Sequence, residues 1–141
     1  MAAADLPSAA ALEAAAGDAP WSSVQLAAEL AKPLARYYVA ATAAGPAVVG
    51  YIGGWIIAPE LQLANVVIHP DFRRRGIGRW LLATLLARAK QEGCAHSTLE
   101  VRRGNAPAQA LYRAAGYYAT GVRPRMYTAP VEDAILMEKP L

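Results

Sequence analysis

A chain of 141 residues, 55% of them hydrophobic, is long enough to bury one sizeable core without disulfides or a structural metal. Its single cysteine, Cys94, excludes an internal disulfide, no Cys/His cluster has metal-ligand spacing, and no apolar run reaches membrane-spanning length. Formal net charge is only +3, yet between Asp71 and Arg125 eleven Lys/Arg stand against Asp71, Glu92 and Glu100, so that half is expected to meet something polyanionic. The alanine-rich start lacks a basic stretch and carries Asp5, Glu13 and Asp18, which argues against a signal peptide and for a soluble protein of the reducing cytoplasm.

In chain order, a helix is predicted from Leu6 to Ala16, ending near Gly17. After Pro20-Trp21, Ser22 or Ser23 caps a second helix that runs from Val24 through Leu30 until Pro33 breaks it. Tyr37 to Ala41 and Ala47 to Ile57 read as an antiparallel hairpin around Gly45-Pro46, the second strand interrupted by Gly53-Gly54. Leu61 to Ile68 continues the sheet and stops before Pro70. Ile77, Trp80, Leu81, Leu85 and Ala89 then recur at helical spacing up to Gly93. Ser97 to Val101 alternates, placing Thr98 and Glu100 on one face and Leu99 and Val101 on the other. Asn105 caps a helix with Pro107 in its first turn and Gly116 at its end. Tyr117 to Gly121 and Ala134 to Met137 supply the last strands, separated by a loop holding Pro124, Tyr127 and Pro130. No internal repeat or linker divides the chain, so residues 1–141 are expected to form a single domain.

The strand Val66-Val67-Ile68 feeds the helix through Arg73-Arg74-Arg75-Gly76-Ile77-Gly78-Arg79. Unpaired N–H groups and the macrodipole at such a junction favour an anion, the glycines let a phosphate approach, and the arginines surround it with fixed charge. Walker A fails for want of a Lys-Ser/Thr pair, and the dinucleotide fingerprint fails because Leu81 stands where a third glycine is needed. The remaining pattern, R-x-x-G-x-G after a strand and opening a helix, resembles the acyl-CoA-binding segment of the GNAT superfamily of N-acetyltransferases.

Leu99-Glu100-Val101-Arg102, Asn105, Ala110-Leu111-Tyr112, Gly116-Tyr117 and Arg125-Met126-Tyr127, with Pro20-Trp21-Ser22, resemble the RimI-like branch, the ribosomal-protein-alanine N-acetyltransferases. The resemblance implies an α/β (α+β) fold, with a mixed, mainly antiparallel sheet flanked by helices and splayed at the acyl-CoA site. It implies acetyl-CoA as cosubstrate, no metal, and direct attack by a peptide α-amine, most simply that of an N-terminal alanine of a small-subunit ribosomal protein. Glu100 would be the base and Tyr112 the acid. Val66, Val67, Ile68, the Arg73–Arg79 segment and Asn105 would hold the cofactor, and Trp21 and Tyr127 the peptide. The family pattern also has a strand before the opening helix and two adjacent tyrosines near the end; here the chain opens on a helix, and Met126 takes the first tyrosine's place.

Taken singly, these residues have plainer readings: Glu100 as an exposed carboxylate paired with Arg102, Tyr112 as a packing residue, Asn105 as a helix cap. Trp55 and Trp80 read as packing residues, and His69, Cys94 and His96 as structural. Rival functions are an acetyltransferase of lysine or a small-molecule amine, a degenerate acyl-CoA sensor, and a basic nucleic-acid-binding domain. The last lacks a helix-turn-helix signature, an RNA-binding aromatic pair or a basic helix face, so neither direct nucleic-acid binding nor a membrane partner is expected.

Overall fold

Six strands and four helices carry the pattern in a computed structural model that describes residues 1–16, 21–42, 48–128 and 130–141. A 3-10 turn at Ala3–Asp5 leads into α1 (Leu6–Ala16), with no strand before it, and α2 (Ser23–Leu30) follows. Of the two candidate caps, Ser22 does the work: its hydroxyl accepts from Gln25 N–H while Gln25 Oε1 accepts from Ser22 N–H, a reciprocal capping box. The strands β1 (Ala35–Ala41), β2 (Val48–Ile57) and β3 (Glu60–Ile68) form an antiparallel meander. The expected Gly45-Pro46 turn and the end of the first helix at Gly17 lie outside the described residues.

β2 is not interrupted at Gly53-Gly54, as the sequence suggested. A Cβ on Gly53 would stand 2.0 Å from the Tyr37 ring, and one on Gly54 2.7 Å from the Gln62 carbonyl oxygen, so the glycines let a tyrosine and a neighbouring strand press against a continuous β2. A 3-10 turn at Pro70–Phe72 connects β3 to α3 (Ile77–Gln91), which ends at Gly93 with φ +92°. Then come β4 (His96–Arg102), α4 (Ala106–Ala114), β5 (Tyr118–Thr128) and β6 (Val131–Pro140). The region read as a loop around Pro124 and Tyr127 is therefore mostly strand. β5 lies at the sheet edge, and its register breaks between Arg123 and Tyr127, so Pro124 sits where no ladder N–H is required.

The sheet order is β1-β2-β3-β4-β6-β5, antiparallel throughout except for the β3–β4 pair. One face packs against α3 and α4 through Leu81, Leu82, Leu85, Ala89, Leu99 and Tyr112. The other carries α1 and α2 over β1 to β3, chiefly on Tyr37, Val48 and Tyr51, leaving the far strands of that face open. Each of the fully buried leucines of α3 stabilises by about 2 kcal/mol relative to exposure. Trp80 does not share that stripe. It is 61% exposed, because the buried face runs through Leu81, Leu82 and Leu85, and the position before Leu81 points away from the sheet. No described helix is long and apolar enough to cross a membrane.

The far end of α3 is tied to β1 by charge. Glu92 accepts from Arg36 Nε and Nη2 at 2.9 and 2.7 Å and from Arg88 Nε at 2.6 Å. These hydrogen bonds, Arg36 first, hold its carboxyl down to about 2. Since the folded value lies below the unfolded one, the clamp's contribution is complete above about pH 4.3 and is lost as pH falls from there. Glu92→Gln should lower the urea midpoint at pH 7, and the gap from the parent should close as the titration approaches pH 2. A gap of constant size across that window would assign the effect to packing.

Candidate active site

Parallel pairing of β3 with β4 runs from Glu60↔His96 to Leu63↔Leu99 and stops. Past that point β3 stays on β2 as far as Ile68↔Gly50, and β4 stays on β6 as far as Arg102↔Ala134. The cause is local. β2 pairs Gly54 with Leu63 but Gly53 with Asn65, which leaves Ala64 as an extra residue on β3, and such a bulge bends and twists the strand away from its neighbour. On the side facing β4, the backbone of Val66, Val67 and Ile68 has no strand partner and is open to an extended ligand.

A cleft of about 850 Å³ occupies this gap, lined by Val66, Val67 and Ile68, by Arg73, Arg74 and Gly76, by Ile77, Gly78 and Arg79 at the start of α3, and by Asn105 and Tyr112. Gly76 is the N-cap of α3 at φ +79°, with no side chain capping the helix, so the first N–H groups face the cleft; a Cβ there would meet nothing within 4 Å. Gly78 has a different reason. Its Cβ position points at Leu111 Cδ2, 3.4 Å away, so this glycine sets the approach of α3 to α4 rather than clearing a path for phosphate. Arg73 Nε donates to the Ile68 carbonyl at 3.3 Å, while Arg74 adopts φ +63°. Arg75 alone of the predicted set is absent from the lining and lies over the Phe72 ring at 5.0 Å. Asn105 is an N-cap, its Oδ1 accepting from Ala108 N–H at 3.2 Å, and it also borders the cleft.

A second cleft, of about 600 Å³, lies on the open sheet face and is bordered by Trp21, Trp55, Asn65, Glu100, Arg123 and Tyr127. The alternation of β4 buries Ser97, Leu99 and Val101 and turns Thr98 and Glu100 to this side, as the sequence indicates. Glu100 Oε1 meets Arg123 Nη1 at 3.2 Å, an ion pair with Arg123 where the plainer reading of this residue has Arg102. Arg102 lies over the Tyr127 ring at 4.2 Å and reaches Glu132 and the Pro130 carbonyl, which fixes the hairpin tip beside the cleft. Met126 joins the lining where the family pattern has a tyrosine.

Tyr112 is 7% exposed, edge-on to Tyr117. Burial first, then the neighbouring Tyr117 and Tyr127, push its hydroxyl well above the ordinary phenol range, so it stays protonated and can donate. His69 caps the 3-10 turn through Nδ1, which accepts from Asp71 N–H, and Cys94 is buried. Among the described residues no group of three or more His, Cys, Asp or Glu is placed to hold a metal. Sequence reasoning missed Arg123, Asn65 and Glu13 at these clefts. Asn65 offered a signal, a polar residue in an otherwise apolar strand end, whereas Arg123 reaches Glu100 only through strand pairing.

The two glycines should therefore fail differently. Gly76→Val forces a β-branched residue to positive φ beside the cleft and should weaken acetyl-CoA binding at least about tenfold by calorimetry. Gly78→Ala places a methyl in ordinary contact with Leu111 and should change affinity less than about threefold. Equal losses would mean that both act through the phosphate path.

Residues 6–117 match the family model described as Acetyltransferase (GNAT) family. The chain is 33% identical over 139 residues to the [ribosomal protein bS18]-alanine N-acetyltransferase of Escherichia coli K12, covering 97% of this chain and 92% of that one. It is 38% identical over 127 residues to the N-alpha-acetyltransferase RimI of Mycobacterium tuberculosis, covering 87% and 77% respectively. The crystal structure of the E. coli ribosomal-protein-S18-alanine N-acetyltransferase superposes with a TM-score of 0.89 at 31% identity, over 99% of this chain and 90% of that one. The family model's match over residues 6–117 and these relatives, alike in sequence and in fold, show that the chain belongs to the GNAT acetyltransferase family.

Proposed function

We propose that the chain transfers the acetyl group of acetyl-CoA to the α-amine of a protein N-terminus, most simply the N-terminal alanine of a small-subunit ribosomal protein in the cytoplasm. One observation carries this reading. The two clefts lie on opposite faces of the sheet and border the same gap between β3 and β4, with Tyr112 on one and Glu100 on the other. Acetyl-CoA is the cosubstrate, and the first cleft suits it: Arg73, Arg74, Arg79 and the start of α3 for the phosphates, and the unpaired edge of Val66–Ile68 for the extended arm. The relatives in E. coli and M. tuberculosis are named for alanine and N-alpha acetylation, which supports the same acceptor here.

In this reading the peptide lies on the open face between Trp21 and Tyr127. Glu100 takes the proton from the α-ammonium, and the free amine attacks the thioester carbon while backbone N–H groups of β3 polarise its oxygen. The C–N bond forms as the C–S bond breaks, and the proton then shed by the amide nitrogen passes through water to replace the one that Tyr112 gives up. Tyr112 hydrogen-bonds the sulfur and passes its proton late, since a hydroxyl with a raised pKa gives up a proton only to a fully developed thiolate. The acceptor preference has a chemical basis as well. At pH 7 an α-amine near pKa 8 has a free-base fraction on the order of a few hundred times that of a lysine near 10.4.

A peptide beginning with alanine should be acetylated once, at its α-amine, as read by fragment mass spectra, while the same peptide with a blocked N-terminus and free lysines stays nearly inert. Acetyl groups on lysine at comparable rates would overturn the acceptor assignment. Tyr112→Phe should lower kcat by about 100-fold or more with little change in KM for acetyl-CoA. Glu100→Gln should lose most at low pH, where the amine is hardest to deprotonate. Full activity of both variants at pH 7 would remove the catalytic pair.

A further inference from the structure

Two buried carboxylates, Glu13 and Glu29, stand outside the mechanism, and Glu13 is the one that borders a cleft. Glu13, near the end of α1, is 7% exposed. One of its oxygens accepts from the hydroxyl of Tyr51, a fully buried residue of β2, and the other from the backbone N–H of Trp21 at 3.4 Å. A carboxylate withdrawn from water is tolerable only when donors replace the lost hydration, and here two donors from separate parts of the fold converge on it. Both oxygens are engaged by donors of the fold itself.

Its neighbours give it a place in the reaction. Tyr51 pairs with Val67, and Asn65 borders the second cleft together with Trp21. Glu13 itself borders the first cleft, so it stands where the two approach each other. The Ser22 capping box closes on Gln25 within α2 and does not reach the sheet. Among the described residues, the hydrogen-bonded link from Trp21 itself to the sheet runs through Glu13 and Tyr51, while α2 is tied to it separately by Glu29, which accepts from Tyr37 and Trp55.

We infer that Glu13 is a positioning residue for the acceptor: by joining the Trp21 backbone to Tyr51 it sets the wall of the peptide cleft without touching either substrate's reacting atoms. The inference rests on the second cleft being the peptide site. A group with this role governs how well peptide is held and has little effect on chemistry once peptide is bound, a split between KM and kcat that a general loss of stability does not produce.

The test uses steady-state kinetics of the full chain with an alanine-start peptide, varying each substrate separately. Glu13→Ala should raise the peptide KM about tenfold, the loss of one hydrogen bond to a charged acceptor, while kcat and the acetyl-CoA KM stay within about twofold. Glu13→Gln keeps an oxygen for the Trp21 N–H and should retain most of the peptide affinity. If Glu13→Ala does not fold, Tyr51→Phe removes one donor to the same carboxylate and should raise the peptide KM about threefold. An unchanged peptide KM, or an acetyl-CoA KM that rises in step with it, would overturn the inference. Trp21→Ala, run alongside, separates the failures. If it leaves the peptide KM unchanged, the assignment of the cleft falls; if it raises the peptide KM and the Glu13 and Tyr51 variants do not, only the role of Glu13 falls.

Discussion

Two parallel strands that stop pairing midway leave backbone N–H and C=O groups without partners, and a folded chain tolerates that only where a ligand or water supplies them. In this protein the break comes after Leu63 and Leu99, at the Ala64 bulge opposite Gly53 and Gly54. Apart from Ala64, the strands on either side remain paired to their outer neighbours past the break, so the gap is built into the sheet.

Much of the site follows from that gap. Because β3 ends beside it, the turn carrying Arg73, Arg74 and Gly76 and the start of α3 are delivered to its rim. Because β4 alternates, Glu100 faces the open side while Leu99 and Val101 anchor the strand in the core. α4 brings Tyr112 to the helix-covered side, where burial keeps its hydroxyl protonated. The bulged edge of β5 and the Arg102–Tyr127 contact place the hairpin over Glu100. Glu100, paired with Arg123, and the neutral Tyr112 hydroxyl are thus separated by the sheet itself, the arrangement that the proposed direct transfer uses.

Local chemistry was legible in the sequence where it depends on neighbours in the chain. The R-x-x-G-x-G junction, the cap at Asn105 and the alternation around Glu100 all rest on spacings of a few residues, and the structure reproduces them. Long-range partners were not legible. Arg123 meets Glu100 only because β5 and β4 share β6 as a neighbour, and Glu13 meets Tyr51 across 38 residues. Three local inferences also failed for physical reasons: Gly53-Gly54 signalled a break but lets neighbours press against a continuous strand, Pro124 signalled a loop because its tolerance at a bulged edge is a property of the sheet, and Trp80 fitted the helical period while lying on the wrong side of it.

The account depends on the two substrates meeting through the sheet from opposite faces. A crystal structure with coenzyme A covalently joined to the α-nitrogen of an alanine-start peptide tests this most directly. The account predicts that the adduct threads the gap between β3 and β4, with pyrophosphate at Gly76 and the start of α3, sulfur beside Tyr112, and peptide on the open face between Trp21 and Tyr127. An adduct with both arms on one face of the sheet, or with its linked nitrogen remote from Glu100, would contradict it.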